Sequence, residues 1–186
     1  MKDAPEQRYV FAVGTSGNLD SYLQDYVDLL EEINKESARG GVLTAASFID
    51  DLLQKSISAF LVDEASAKKL CQGFNAPIGT LSAKIAVAYG LGLISSDERA
   101  ECDTIRAIRN KFAHTVRVSF MDHGVANLCS KLKFASDEPG INSHMKFTSA
   151  AVTLVARLVN RPKFVAKEKR ETKEWPTATE KRTVIR

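Results

Sequence analysis

The sequence predicts an all-α protein, a helical bundle of six to seven helices. Three observations lead there. Apolar residues recur at steps of three and four along most of the chain, the spacing of one buried helix face. Residues that start and stop helices punctuate those runs. The one β-like stretch, Thr115–Met121, alternates Val116, Val118 and Phe120 and is too short and isolated to found a sheet.

The elements follow in order. Residues 1–17 form a lead-in segment ending in the turn-rich Gly14-Thr15-Ser16-Gly17. Asn18 suits a helix N-cap. Leu19, Tyr22, Leu23, Tyr26, Leu29, Leu30 and Ile33 then share one stripe of a first helix, which Gly40-Gly41 is expected to break. A second helix is expected from about Val42 to about Leu61, with Leu43, Ala46, Ile49, Leu52, Leu53, Ile57 and Phe60 as its apolar residues. Asp63 caps a short third helix reaching Gln72, and residues 73–79 form a loop.

The fourth helix, Leu81–Leu91, is small and apolar nearly all round, which predicts a place in the middle of the bundle. Ser95 and Glu98 have capping-box spacing, and Asp97 suits the positive end of a helix dipole. A fifth helix then runs to about His114. Two more are expected over Val125–Phe134 and Ser143–Asn160, and Pro162 stops the last. The organisation is thus a lead-in over 1–17, a bundle domain over 18–161 and a basic, mobile tail over 162–186.

Composition bounds the function classes. The chain has 186 residues, 44% hydrophobic and 26% charged, enough for one domain with a full core and no staples. The net charge of +3 is unevenly spread. Residues 162–186 hold eight Lys or Arg and four Glu, giving +4, so residues 1–161 carry −1. A nucleic-acid-binding domain ordinarily carries its excess positive charge on the folded body, and this body has none. Cys71, Cys102 and Cys129 are odd in number and widely spaced, as expected of buried, reduced thiols rather than a disulfide framework. No spacing supports a metal site, and His123 and His144 fall in or near expected loops. No cofactor is implied. The first ten residues, MKDAPEQRYV, carry charges and a proline where a signal peptide needs an apolar run. The apolar stretch Ala76–Ile94 is thinned by Pro77, Gly79, Lys84, Gly90 and Gly92, so it reads as a buried helix rather than a membrane span. A cytoplasmic protein is expected.

The fifth helix carries the chemistry. At about 100° per residue, Ile108 and Phe112 fall within about 60° of Ile105 and define its buried stripe. Asn110 and His114 lie opposite, with Asp103 beside them, while Arg106 and Arg109 occupy the flank. One helix thus presents Asp103, Arg106, Arg109, Asn110 and His114 on a polar side. A plain structural role accounts for these residues too: Asp103 can pair with Arg106 at i, i+3, and a His in the last turn suits the helix dipole.

The run Arg109-Asn110-Lys111-Phe112-Ala113-His114 has the pattern Arg-Asn-x-x-x-His. Here the chain resembles the HEPN superfamily of helical bundles, whose signature is an Arg followed at four to six residues by a His near a helix end. More narrowly it resembles the MltR family, the mannitol-operon-repressor-like proteins. Residues 76–114, APIGTLSAKIAVAYGLGLISSDERAECDTIRAIRNKFAH, carry most of that likeness, and a weaker one spans roughly 40–134. The HEPN resemblance implies a homodimer with a cleft between subunits. In its ribonuclease members it implies metal-independent RNA cleavage. His114 would then move a proton, Arg109 would stabilise the transition-state charge and Asn110 would orient the phosphate. Two features depart from that pattern: Val116 stands where toxin-type members often have Tyr, and Asp103 shares the face of His114, where a carboxylate repels RNA.

The MltR resemblance implies a regulator without catalysis, acting in transcriptional control through a protein partner. Direct DNA reading is not expected. The turn at Gly90–Ile94 invites a helix-turn-helix comparison, but the second helix would begin with Asp97, Glu98 and Glu101, which phosphates repel. The alternative is the endoribonuclease, which should set Arg109 and His114 in an open cleft. A regulator is free to bury or cover them.

Overall fold

A computed structural model describes residues 27, 30–33 and 35–176. From Ala38 on it contains seven α-helices and one 3₁₀ turn, and no strand occurs among the described residues. The expected lead-in over 1–17, the Asn18 cap and most of the first stripe lie outside the described residues. Val27, residues 30–33 and Lys35 are helical, and Leu30 is buried.

Helix α1 spans Ala38–Phe60. It starts earlier than expected because Ser37 supplies the cap, its hydroxyl accepting from the Gly40 amide at 3.1 Å. The break therefore falls at Glu36–Ser37, and Gly40 and Gly41 lie inside the first turn. Gly41 is buried with Ile33 beside it, a site where the preceding segment comes close. Along α1 a continuous stripe is buried: Val42, Ala45, Ile49, Leu52, Leu53, Ile57 and Phe60.

Helix α1 is the middle of the bundle. It packs against α2 (Glu64–Cys71), α3 (Leu81–Gly90), α4 (Ser96–His114), α6 (Ser143–Leu158) and α7 (Arg161–Val165). The expectation that α3 is central is not met. It buries only Lys84, Ile85 and Ala88, and Ser82, Ala86 and Tyr89 face outward. Small residues such as Ala mark no face, so an apolar run built of them does not report full burial.

The remaining elements have local causes. Asp63 caps α2, its carboxylate accepting from the Ser66 amide at 2.7 Å, and this bond lowers its pKa. The loop after α2 turns through Gly73 and Asn75 in the left-handed region. Both capping-box bonds of α4 form between Ser95 and Glu98. Helix α5 (His123–Cys129) stops short of the expected Phe134, and a single residue explains why. The Glu101 carboxylate, buried on α4, accepts from the Lys133 amide at 2.9 Å and the Phe134 amide at 3.1 Å. Those amides cannot also serve a helix.

The β-like stretch folds as a plug. Phe120 is buried with its ring 4.9 Å from Phe112 and 5.6 Å from Phe147. His144 stacks on it at 4.6 Å. His144 stands in the first turn of α6, within the helix expected from Ser143, whereas His123, expected in or near a loop, opens α5. Val116 points outward, 92% exposed.

Pro162 does not release the chain. Helix α6 ends at Leu158, and Pro162 sits in the first turn of α7, where its missing N–H costs nothing. Arg161 donates to Glu98 at 2.8 Å, Val165 is buried, and the Arg170 amide donates to the Phe60 carbonyl at 2.8 Å. The Arg170 guanidinium lies 4.7 Å over the Phe60 ring. Residues up to Arg170 therefore lie on the bundle, inside the segment expected to be tail, and residues 177–186 fall outside the described ones.

Candidate functional site

The site is built on the C-terminal half of α4. Ile105, Ile108 and Phe112 are fully buried, as their spacing predicts, and they fix which face is left. Asp103 and Arg106 pair at 3.3 Å, and Arg99 approaches the other Asp103 oxygen at 3.9 Å. Arg109 is exposed and donates to the Asn110 side-chain oxygen at 3.1 Å. His114 is exposed in the last turn. No hydrogen bond joins Arg109 or Asn110 to His114 among the described residues. The predicted set therefore divides into a paired group, Asp103 with Arg106, and an open group, Arg109, Asn110 and His114.

Three residues that sequence reasoning passed over belong here. Arg39, in the first turn of α1, donates from Nη2 to the Thr115 carbonyl at 2.6 Å and the Val116 carbonyl at 2.9 Å. It closes the end of α4 and so fixes where His114 stands. Lys84 on α3 is 3% exposed and donates to the Asp50 carboxylate of α1 at 2.6 Å. The second Asp50 oxygen, Oδ1, is buried and has no hydrogen-bond partner among the described residues. Lys84 had a sequence signal, a lone charge inside an apolar helix, because a buried charge demands a counterpart. Asp50 and Arg39 had none, since their partners are 34 and 76 residues away.

Asp50 and Arg109 meet at a cavity of about 350 Å³, which neither Arg39 nor Lys84 lines. Ser47 and Asp50 come from α1, Thr80 and Leu81 from the start of α3, and Arg109 from α4. His114 is not among its lining residues. The lining offers the Arg109 guanidinium and the Asp50 carboxylate, whose partner Lys84 is not itself a lining residue.

The other candidates are structural. Cys71, Cys102 and Cys129 are free and buried, and burial pushes the Cys102 and Cys129 thiols up to about 12. A thiol held protonated this way is a poor nucleophile. The acidic start of α4 is committed elsewhere: Glu98 to the cap and Arg161, Asp97 to Lys133 at 2.7 Å. No described helix is long and apolar enough to cross a membrane.

No sequence profile of a known protein family matches the chain, and no curated protein sequence matches it. A solved structure does. The X-ray structure of the MtlR–HPr complex from Escherichia coli contains a chain that aligns with a TM-score of 0.56 at 18% identity. The alignment covers 77% of this chain and 99% of that one. Nearly all of that chain thus has a counterpart here, and this chain has an MtlR-like, all-α fold.

Proposed function

We propose that this chain is an MltR-like regulatory protein that acts in transcriptional control through protein–protein contacts in the cytoplasm. The observation that carries the reading is the fold likeness to a chain of the MtlR–HPr complex, which extends over 99% of that chain. The neighbour was solved with a protein partner, so a protein of the HPr kind is the first partner to test here. The open end of α4 supports a docking role, since Arg109, Lys111, His114 and Arg117 leave it basic and exposed beside the apolar Val116 and Met121. A homodimer belongs to the same proposal, as does a distant relationship to the HEPN bundles. The experiment is calorimetric titration of the purified chain with E. coli HPr, with light scattering to give the oligomeric state. Saturable binding that weakens in Arg117→Glu supports the reading. A folded chain that shows no heat with HPr removes HPr-like proteins as partners.

A second reading is favoured by one specific observation: Arg109 and His114 are both exposed at one helix end rather than buried in hydrogen bonds. That is the exposure a metal-independent endoribonuclease of HEPN type needs. His114 would exchange the proton at the ribose hydroxyl or leaving oxygen, Arg109 would meet the developing phosphorane charge, and Asn110 would hold the phosphate. Asp103 is a smaller obstacle to RNA than its position suggests, because Arg106 and Arg99 flank its carboxylate. RNA cleavage that resists EDTA and disappears in His114→Ala establishes this activity. No cleavage of several RNAs by a folded wild type removes it.

A further inference from the structure

The cavity beside Arg109 is not lined by His114; its walls come from α1, the start of α3 and α4. Its chemistry is specific. Arg109 gives one N–H to Asn110, and its other donors have no acceptor among the described residues. The Thr80 hydroxyl accepts from the Ala83 amide and keeps its own proton to donate. Thr80 and Leu81 begin α3, where the first backbone N–H groups have no intrahelical acceptor. Donors thus approach from two walls. The remaining wall supplies acceptors: the Ser47 oxygen, whose proton goes to the Leu43 carbonyl, and Asp50.

The charge count points the same way. Lys84 and Asp50 cancel, so Arg109 leaves the cavity with one net positive charge. Lys84 is buried while the Asp50 side chain is 32% exposed, so the pair is only half desolvated and Asp50 reaches the cavity. Asp50 Oδ1 is shut off from solvent, so the carboxylate faces the cavity through the oxygen that Lys84 already neutralises. At about 350 Å³ the cavity is at the small end of ligand sites.

We propose that the cavity between α1, the start of α3 and α4 binds a small phosphoryl-bearing ligand. The phosphoryl oxygens sit at Arg109 and Thr80, and a hydroxyl of the ligand, or the P–O–H itself, donates toward Ser47 and Asp50. Arg109 is a fork that matches such an oxyanion, and donors from a second wall suit a tetrahedral group better than a planar carboxylate. The proposal goes beyond the protein-contact reading and stands without it: a regulator with this cavity has an effector site as well as a docking face.

The test is calorimetric titration of the full chain with inorganic phosphate and with glycerol 3-phosphate, acetate serving as the planar control. One saturable site per chain is expected, weakened at least about tenfold in Arg109→Gln and lost in Ser47→Phe. Ser47 is an exposed helix position, so the phenylalanine fills the cavity mouth while circular dichroism stays unchanged. Tighter binding of glycerol 3-phosphate assigns the site to a phosphate monoester, and equal binding assigns it to phosphate itself. The proposal is overturned by any of three results: no saturable heat up to about 10 mM ligand, binding that survives Ser47→Phe, or acetate competing as well as phosphate. Failure to bind HPr would leave all three readouts untouched, so the two ideas fall separately.

Discussion

From Ser96 to Arg106, every charged side chain of α4 has a partner. Asp97 holds Lys133, Glu98 holds Arg161, Glu101 holds two loop amides, Arg99 lies over Tyr89, and Asp103 pairs with Arg106. From Arg109 to His114, no charged side chain has an ion-pair partner among the described residues. The two halves share one helix and one buried stripe, but all four carboxylates of the helix lie in the first half. The first half uses its charges to fasten loops and α7 to the bundle. The second leaves Arg109, Lys111 and His114 to whatever approaches from outside. Charge on a helix is thus read by what it is committed to, and uncommitted charge on a rigid helix is what a binding surface requires.

The comparison can be sharpened from its largest effect downward. Phe112 anchors both halves and the Phe120 plug, and Phe112→Ala should cost about 4 kcal/mol in urea unfolding. Glu101→Ala removes the buried acceptor of two part-buried amides and should cost about 2 kcal/mol, with loss of hydrogen-exchange protection at Lys133 and Phe134. Glu101 also has a pH signature. Burial raises its carboxyl above the ordinary 4.5, and the two amide bonds offset this only in part. The folded state therefore holds this proton more tightly than the unfolded state. Its contribution to stability is full below 4.5 and is lost as pH rises through the higher folded value. The stability of the wild type relative to Glu101→Gln should decline over that window; a constant difference would mean the carboxyl is not shifted.

Smaller effects belong to the open half. Arg39→Ala frees two carbonyls at the end of α4 and should cost about 1 kcal/mol. Its clearer sign is broadened NMR signals for His114 and Thr115. Arg109→Gln and His114→Ala should each change stability by less than about 0.5 kcal/mol. A loss of more than about 2 kcal/mol in either would mean that these residues are structural too, and the contrast between the halves would collapse.

Much of this was legible in the sequence where the signal is local. The Ile105–Ile108–Phe112 stripe, the Ser95–Glu98 box and the Asp103–Arg106 pair all form as read, because each depends on residues within one or two turns. Gly40-Gly41 misled, since a glycine pair reads as a break only when no cap outcompetes it, and Ser37 does. Helix α5 was overextended because the competing acceptor, Glu101, lies some thirty residues upstream. The candidate site was half legible. The polar face of α4 could be laid out by angle, but the cavity beside Arg109 depends on Asp50 and Lys84, which only the packing of α1 on α3 brings together.

The contact of Arg170 with the end of α1 bears on synthesis. Phe60 waits for Arg170, 110 residues later, to receive a donor on its carbonyl and a guanidinium over its ring. Helix α7, one of the main partners of α1, is also made late. A chain emerging from the ribosome therefore carries its central helix for most of its synthesis with one flank uncovered. Contacts this distant in sequence close slowly, and exposed apolar surface in the interval invites aggregation or a chaperone. Nascent chains stalled before residue 161 should accordingly bind chaperones more strongly than those stalled after residue 170.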